Sequence, residues 1–320
     1  MLQILLVTFP FFALVLAGFV AAYRRLLPLE AIPGLNSFVL FFALPAMLYR
    51  FGSTTPIAQL MDGWVAGVYV ACALVMVAVT IAITRNKRIR WNDASFGALV
   101  AAFPNSGFMG VPLLVALLGQ AAAGPVILLM LLDMVVTSSL CVALSRLDQA
   151  EGHGGQAMAV AARKALRGVA TNPMPWAVLL GAAASAAEFR LPGPVQQTVW
   201  LLADAASPVA LFTIGAVLAR SQLQASRPMP LSDYVPVAVL KLLVHPLLVF
   251  GAGWLVMAMG ARLSHLALVA MTLTAALPSA SNVSLLAERM GADNGRIARI
   301  ILVTTTAAFL TFSAAVACLT

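Results

Sequence analysis

Ten apolar runs follow one another along this chain, and a soluble fold has no place to bury them all. They lie near 2–22, 35–50, 63–84, 95–117 and 121–145, then near 173–188, 196–219, 234–257, 264–287 and 296–318. A helix needs about 20 predominantly apolar residues to cross a bilayer. Membrane strands would instead alternate in polarity over segments of about 10 residues, and these runs do not alternate. The composition agrees: 62% of residues are hydrophobic and 9% charged, against about 45–50% and about 25% in soluble domains. The expected fold class is an all-α polytopic membrane protein. The second and sixth runs are short, and proline interrupts the fourth and ninth.

The net charge of +8 would suit nucleic acid if it formed a patch. The basic residues lie instead in the short loops between runs, where they set topology. With the amino terminus outside, 15 of the 19 Lys and Arg fall on the inner side, among them Arg24, Arg25, Arg85, Arg163, Lys164, Arg227 and Arg296. Three (Arg50, Arg190 and Arg262) fall outside, and Lys241 lies within a run. That asymmetry puts both termini outside, in the periplasm of an inner (plasma) membrane. Arg24 and Arg25 follow the first apolar run rather than precede it, so an uncleaved first helix is expected rather than a signal peptide. Cys72, Cys141 and Cys318 sit in separate runs without metal spacing.

Five runs precede the long loop 146–172 and five follow it, so the second set must enter the membrane with opposite orientation, as in inverted-repeat carriers. The expected organisation is a first five-helix repeat over 1–145, a cytoplasmic loop over 146–172 containing His153 and a basic helical stretch, and a second repeat over 173–320. Local matches support it. Pro45 precedes Gly52 by seven residues in run two, as Pro208 precedes Gly215 in run seven. FPNSG around Pro104 in run four answers LPSASN around Pro278 in run nine. Gly119 and Gly124 flank the turn before run five, as Gly291 and Gly295 flank the turn before run ten.

Pro104 falls roughly 14 Å into its run at 1.5 Å per residue, near the midplane. Proline removes a helical hydrogen bond, Asn and Ser favour helix starts, and Gly107 relaxes the backbone. The sequence therefore predicts a half-helix, a break, and a restart at Asn105–Gly107. Pro278, Ser279, Ser281 and Asn282 predict the same from the opposite side. Irregular backbone at that depth belongs where it is buried or lines a cavity, and two half-helix N-termini suit an anion. Packing kinks are the plainer alternative. Ionisable residues within runs mark functional sites by default. Lys241 is a candidate substrate contact. Asp133, its counterpart Thr304, His245 and Asp204 are candidates for proton or ion coupling. Asp133 and Lys241 are also expected to neutralise each other if both are structural.

LNSFVLFFALPAMLYRFG, AAFPNSGFMGVPLL, NPMPWAVLLG, PVALFTIGAVLA, KLLVHPLL and LPSASNVSLLAERMGAD, in this order, resemble the auxin efflux carrier family. The short central loop is similar to that of its bacterial branch, commonly regarded as carriers of malonate or related dicarboxylates. The resemblance implies two inverted five-helix repeats with broken, crossing helices 4 and 9, a fold similar to that of bile acid symporters. It implies a scaffold of helices 1, 2, 6 and 7, a transport core of helices 3–5 and 8–10, and elevator-type motion. The family's carboxylate site maps onto Pro104, Asn105, Pro278 and Asn282, with Ser106, Gly107, Ser279 and Ser281 beside them. Ser279 stands where an Asn would mirror Asn105.

The expected function is secondary transport of a small organic anion, malonate or a related carboxylate. An exporter of aromatic, auxin-like acids and a sodium-coupled organic anion symporter are the alternatives. No enzyme is expected, since neither the GxSG nor the GxGD string of intramembrane proteases occurs. No cofactor or metal is expected, with a proton or sodium as the candidate coupling ion. Expected partners are the carboxylate, membrane lipids and a second copy through the scaffold helices, but no nucleic acid.

Overall fold

Helix is the only regular structure among the described residues of the computed structural model, which are 2–54, 62–147, 173–223 and 229–320. The loop prediction over 146–172, with His153, and the basic residues Arg163, Lys164, Arg167 and Arg227 fall almost wholly outside them; only the stretch up to 147 is described. The helices are α1 (Leu2–Tyr23), α2 (Ile32–Phe38), α3 (Leu44–Thr54), α4 (Gly63–Thr84), α5 (Trp91–Ala102), α6 (Val111–Leu118), α7 (Ala123–Leu132) and α8 (Ser138–Leu144). After the loop come α9 (Pro173–Ala186), α10 (Gly193–Leu223), α11 (Val235–Val239), α12 (His245–Ala258), α13 (His265–Ala276), α14 (Asn282–Arg289) and α15 (Asn294–Leu319). Wide π-helical turns join α2 to α3 (Val39–Ala43), α7 to α8 (Asp133–Thr137) and α11 to α12 (Leu240–Val244), and a fourth precedes α6 (Ser106–Gly110).

Seven helical segments among the described residues are long and apolar enough to cross a membrane: Leu6–Tyr23, Leu29–Thr54, Gly63–Thr84, Gln120–Leu144, Gly193–Leu223, Val235–Ala258 and Asn294–Leu319. Shorter apolar helices occupy Ser106–Leu118, Pro173–Ala186 and His265–Ala276. The second run, read as short from sequence, extends through its π turn to 26 residues. Large apolar side chains such as Leu16, Phe41, Leu180, Leu247 and Leu310 point outward. A helix apolar all round suits a lipid environment. The chain is a multi-pass membrane protein.

The described residues pack as two units that do not follow the sequence halves. Unit 1 takes those within Met1–Asp62, Gly107–Leu128 and Ala170–Gln224; unit 2 takes those within Gly63–Ser106, Leu129–Val169 and Ala225–Thr320.

In unit 1, α1 packs along α10, and α3 packs along α9. Without a hydrophobic drive between helices in lipid, close backbone approach through small residues supplies the attraction. A Cβ on Gly18 would meet the Phe212 carbonyl, and one on Gly215 the Val15 carbonyl. A Cβ on Gly52 would lie 2.8 Å from the Val178 oxygen, and one on Gly181 2.5 Å from the Tyr49 oxygen. The two glycines singled out by their spacing from proline, Gly52 and Gly215, thus do the same job in two helix pairs.

Unit 2 contains a buried charge that the loop count misread. Arg296, counted with the inner loops, opens α15 but is only 2% exposed. Its Nε donates to the Asp233 carbonyl at 2.8 Å and its Nη1 to the Asp93 carbonyl at 2.7 Å. Asp293 caps the helix by accepting from the Arg296 N–H at 3.0 Å, and its own N–H donates to the Asp93 carboxylate at 2.8 Å. Asp233 is ion-paired with Arg88. One side chain therefore ties the starts of α5, α11 and α15. Gly97 leaves room for it, since a Cβ there would sit 2.7 Å from Nη1. Gly97→Val is expected to lower stability by about 1–3 kcal/mol, the usual cost of overpacking, read as a fall in melting temperature in detergent. Gly34→Ala, where a Cβ meets nothing within 4 Å, should leave that temperature in place.

Candidate functional site

The two proline-broken segments meet within unit 2. α5 ends at Ala102 and Phe103 turns extended (φ −94°, ψ 103°). α13 ends at Ala276 and Leu277 does the same (φ −62°, ψ 154°). Pro104 and Ser279 then form an antiparallel bridge. The Asn105 N–H donates to the Pro278 carbonyl at 2.8 Å, and the Ala280 N–H donates to the Phe103 carbonyl at 3.0 Å.

This pairing answers the problem that the prolines create, because buried backbone polar groups must find partners. Pro104 has no N–H for the Val100 carbonyl one turn earlier; the Ser279 hydroxyl supplies the donor at 2.7 Å. In the second segment the carbonyl one turn before Pro278, Thr274, accepts from the Leu277 N–H at 3.2 Å, and the next one, Ala275, accepts from Lys241 Nζ at 3.0 Å. The Ser279 N–H is received by the Thr304 hydroxyl at 3.3 Å, which itself donates to the Ile301 carbonyl at 3.1 Å. Helix resumes at Ser106 in the first segment and at Asn282 in the second.

The residues predicted to bind substrate divide by what their side chains already do. Ser279 is committed to Val100, and the Ser106 hydroxyl turns back to the Pro104 carbonyl at 3.4 Å. Among the described residues, the side-chain amides of Asn105 and Asn282 and the hydroxyl of Ser281 make no hydrogen bond. Asn105 is 5% exposed and Ser281 9%, while Asn282 is half-buried; all three side chains are uncommitted. Gly107 begins the stretch that packs in unit 1.

A second buried polar group surrounds Asp133, which opens a π turn in the fifth run. Its carboxylate accepts from the Tyr69 hydroxyl at 2.7 Å and the Thr137 hydroxyl at 2.9 Å, and its carbonyl accepts from Ser138 Oγ at 2.9 Å. Lys241 lies in another π turn, with Nζ 3.1 Å from His245 Nδ1. The Tyr69 and His245 rings lie 6.0 Å apart. Asp133 and Lys241 form no direct ion pair among the described residues. The sequence reading missed Tyr69, although a buried tyrosine hydroxyl needs a partner and Tyr69 stands alone in an apolar run. Asp204 belongs to unit 1 and pairs with Arg50 at 2.6 Å, its own side chain 66% exposed. Exposed pairs of this kind contribute about 0–1 kcal/mol.

Polar groups gathered where two membrane helices break are what many membrane carriers use to hold their cargo. The sequence matches the family described as "Membrane transport protein" over residues 4–316; the chain belongs to that family, the auxin efflux carrier family its motifs resemble. It is similar to a "Putative malonate transporter" of Rhizobium meliloti (strain 1021), with 31% identity over 92% of this chain and 89% of the relative. It is also similar to the "Uncharacterized transporter YfdV" of Escherichia coli (strain K12), with 24% identity over 88% of this chain and 86% of the relative.

Proposed function

We propose that this protein is a secondary carrier of malonate or a related small carboxylate in the inner membrane, with both termini periplasmic. The observation that carries the reading is the set of uncommitted side-chain donors at the paired breaks. Asn105 and Asn282 offer amide N–H groups, Ser281 offers a hydroxyl, and the half-helix starts beside them add the positive ends of their dipoles. A carboxylate needs such donors to leave water. Pro104 and Pro278 open the two backbones, while Ser279 and Thr304 brace them.

In this reading the chain makes ten spans as two inverted five-helix repeats. The equivalent packing roles of Gly52 and Gly215 support the repeat, as does the reciprocal pairing around Pro104 and Pro278. Helices 1, 2, 6 and 7 act as scaffold, and helices 3–5 and 8–10 carry the substrate by an elevator-type motion. The grouping of helices into units 1 and 2 supports that division, with residues 107–128 falling on the scaffold side. Asp133, held by Tyr69 and Thr137 within unit 2, is the best placed proton-coupling group, with His245 next. Two scaffold units pairing gives a homodimer.

Counterflow in proteoliposomes tests the function: labelled malonate against a panel of mono- and dicarboxylates and aromatic acids, with and without pH and sodium gradients. Exchange of malonate-like acids is expected. Exchange of aromatic acids alone, or of no acid, contradicts the reading.

A further inference from the structure

The C-terminal end of a half-helix inside a membrane attracts cations. Its last carbonyls lose their helical donors, the negative end of the dipole lies there, and broken helices in carriers use such ends to hold coupling ions. α13 ends in this way, with Leu277 extended and Pro278 following. The group on its Ala275 carbonyl is the ammonium of Lys241, 3.0 Å away.

Other observations set Lys241 apart from an ordinary buried ion pair. It is fully buried, and among the described residues no carboxylate ion-pairs with it directly; Asp133, near enough to act on it through space, is bonded to Tyr69 and Thr137. Its second partner is an imidazole nitrogen, His245 Nδ1 at 3.1 Å. With the ammonium donating there, the imidazole carries its proton on Nε2, and that nitrogen is buried without a partner. A buried ammonium without a directly bonded carboxylate is costly in the membrane interior and marks functional positions. The π turn Leu240–Val244 that carries Lys241 is a further mark of such positions.

We propose that the Lys241 ammonium is a tethered cation occupying the end of half-helix α13 where a soluble coupling cation would otherwise bind, so that transport needs no sodium. The transport consequence rests on the carrier function proposed above; the occupancy of the site does not. Lys241 is then a positioning residue for the broken helix, not a substrate contact.

Wild type, Lys241→Ala and Lys241→Met distinguish the outcomes. Ala leaves a void that a primary alkylammonium such as n-butylammonium can refill, whereas Met fills the void without charge. Butylammonium is expected to raise the melting temperature of purified Lys241→Ala but not of wild type or Lys241→Met. Both variants should lose malonate counterflow by about tenfold or more, the scale of losing a hydrogen bond from a charged group, and only Lys241→Ala should recover with the amine. Wild-type counterflow should be equal in sodium and choline buffers. Sodium-dependent wild-type transport overturns the proposal, as does full activity of Lys241→Met without amine. A folded Lys241→Ala indifferent to butylammonium in both readouts also overturns it. If Lys241→Ala does not fold with or without amine, the Lys241→Met transport assay decides. If wild type exchanges no acid, the carboxylate function fails while the melting experiment still decides the site.

Discussion

Asn105→Ala is expected to reduce malonate counterflow by about 10- to 100-fold, the scale for losing hydrogen bonds to a charged group, while the protein still purifies folded. The backbone N–H that bonds to the Pro278 carbonyl is kept in the variant. The amide that is lost makes no bond within the described residues, so the fold has little to lose. Ser279→Ala makes the opposite case. It removes the donor to the Val100 carbonyl and leaves that carbonyl unpaired in the interior, at a cost of about 1–3 kcal/mol. Its melting temperature should therefore fall, whereas that of Asn105→Ala should not. A normal transport rate for Asn105→Ala would remove this residue from the binding site.

Gly215→Val and Gly52→Val are expected to give the largest losses of stability. A Cβ at position 215 would collide with the Val15 carbonyl, and one at position 52 would reach the Val178 oxygen at 2.8 Å. Backbone atoms cannot rotate aside as a side chain can, so the helix pairs must separate. Overpacking costs about 1–3 kcal/mol when side chains can yield; here the loss should lie at or above that range. The measurement is thermal melting and yield in detergent. Similar losses at both positions would also support the equivalence of the two helix pairs, and a wild-type melt for either would count against it.

Much of this arrangement is legible in the residues because breaks and spacings are local. Pro104 and Pro278 forbid helical hydrogen bonds wherever the chain places them, and the helices stop at Ala102 and Ala276 and restart at Ser106 and Asn282. The Pro45–Gly52 and Pro208–Gly215 spacings mark two glycines that each sit against a neighbouring helix backbone. Partners across long stretches of chain are not local and were not legible. Lys241 finds a backbone carbonyl 34 residues away rather than a carboxylate. Asp204 finds Arg50 at a separation of 154. Arg296 looked like a loop charge because topology counting attends to flanks, and only the tertiary fold shows that Gly97 leaves space for its guanidinium. Ser279 departs from the mirrored Asn for a physical reason: a short hydroxyl reaches the carbonyl that Pro104 leaves unpaired.

In the proposed carrier the paired breaks hold a carboxylate. Equilibrium binding of labelled malonate to purified protein tests it without assuming a direction, a coupling ion or a membrane gradient. The wild type should bind saturably, and Asn105→Ala, Ser281→Ala and Asn282→Ala should each weaken binding while keeping the wild-type melting temperature. Malonate binding of undiminished affinity in all three variants would mean that the carboxylate is held elsewhere.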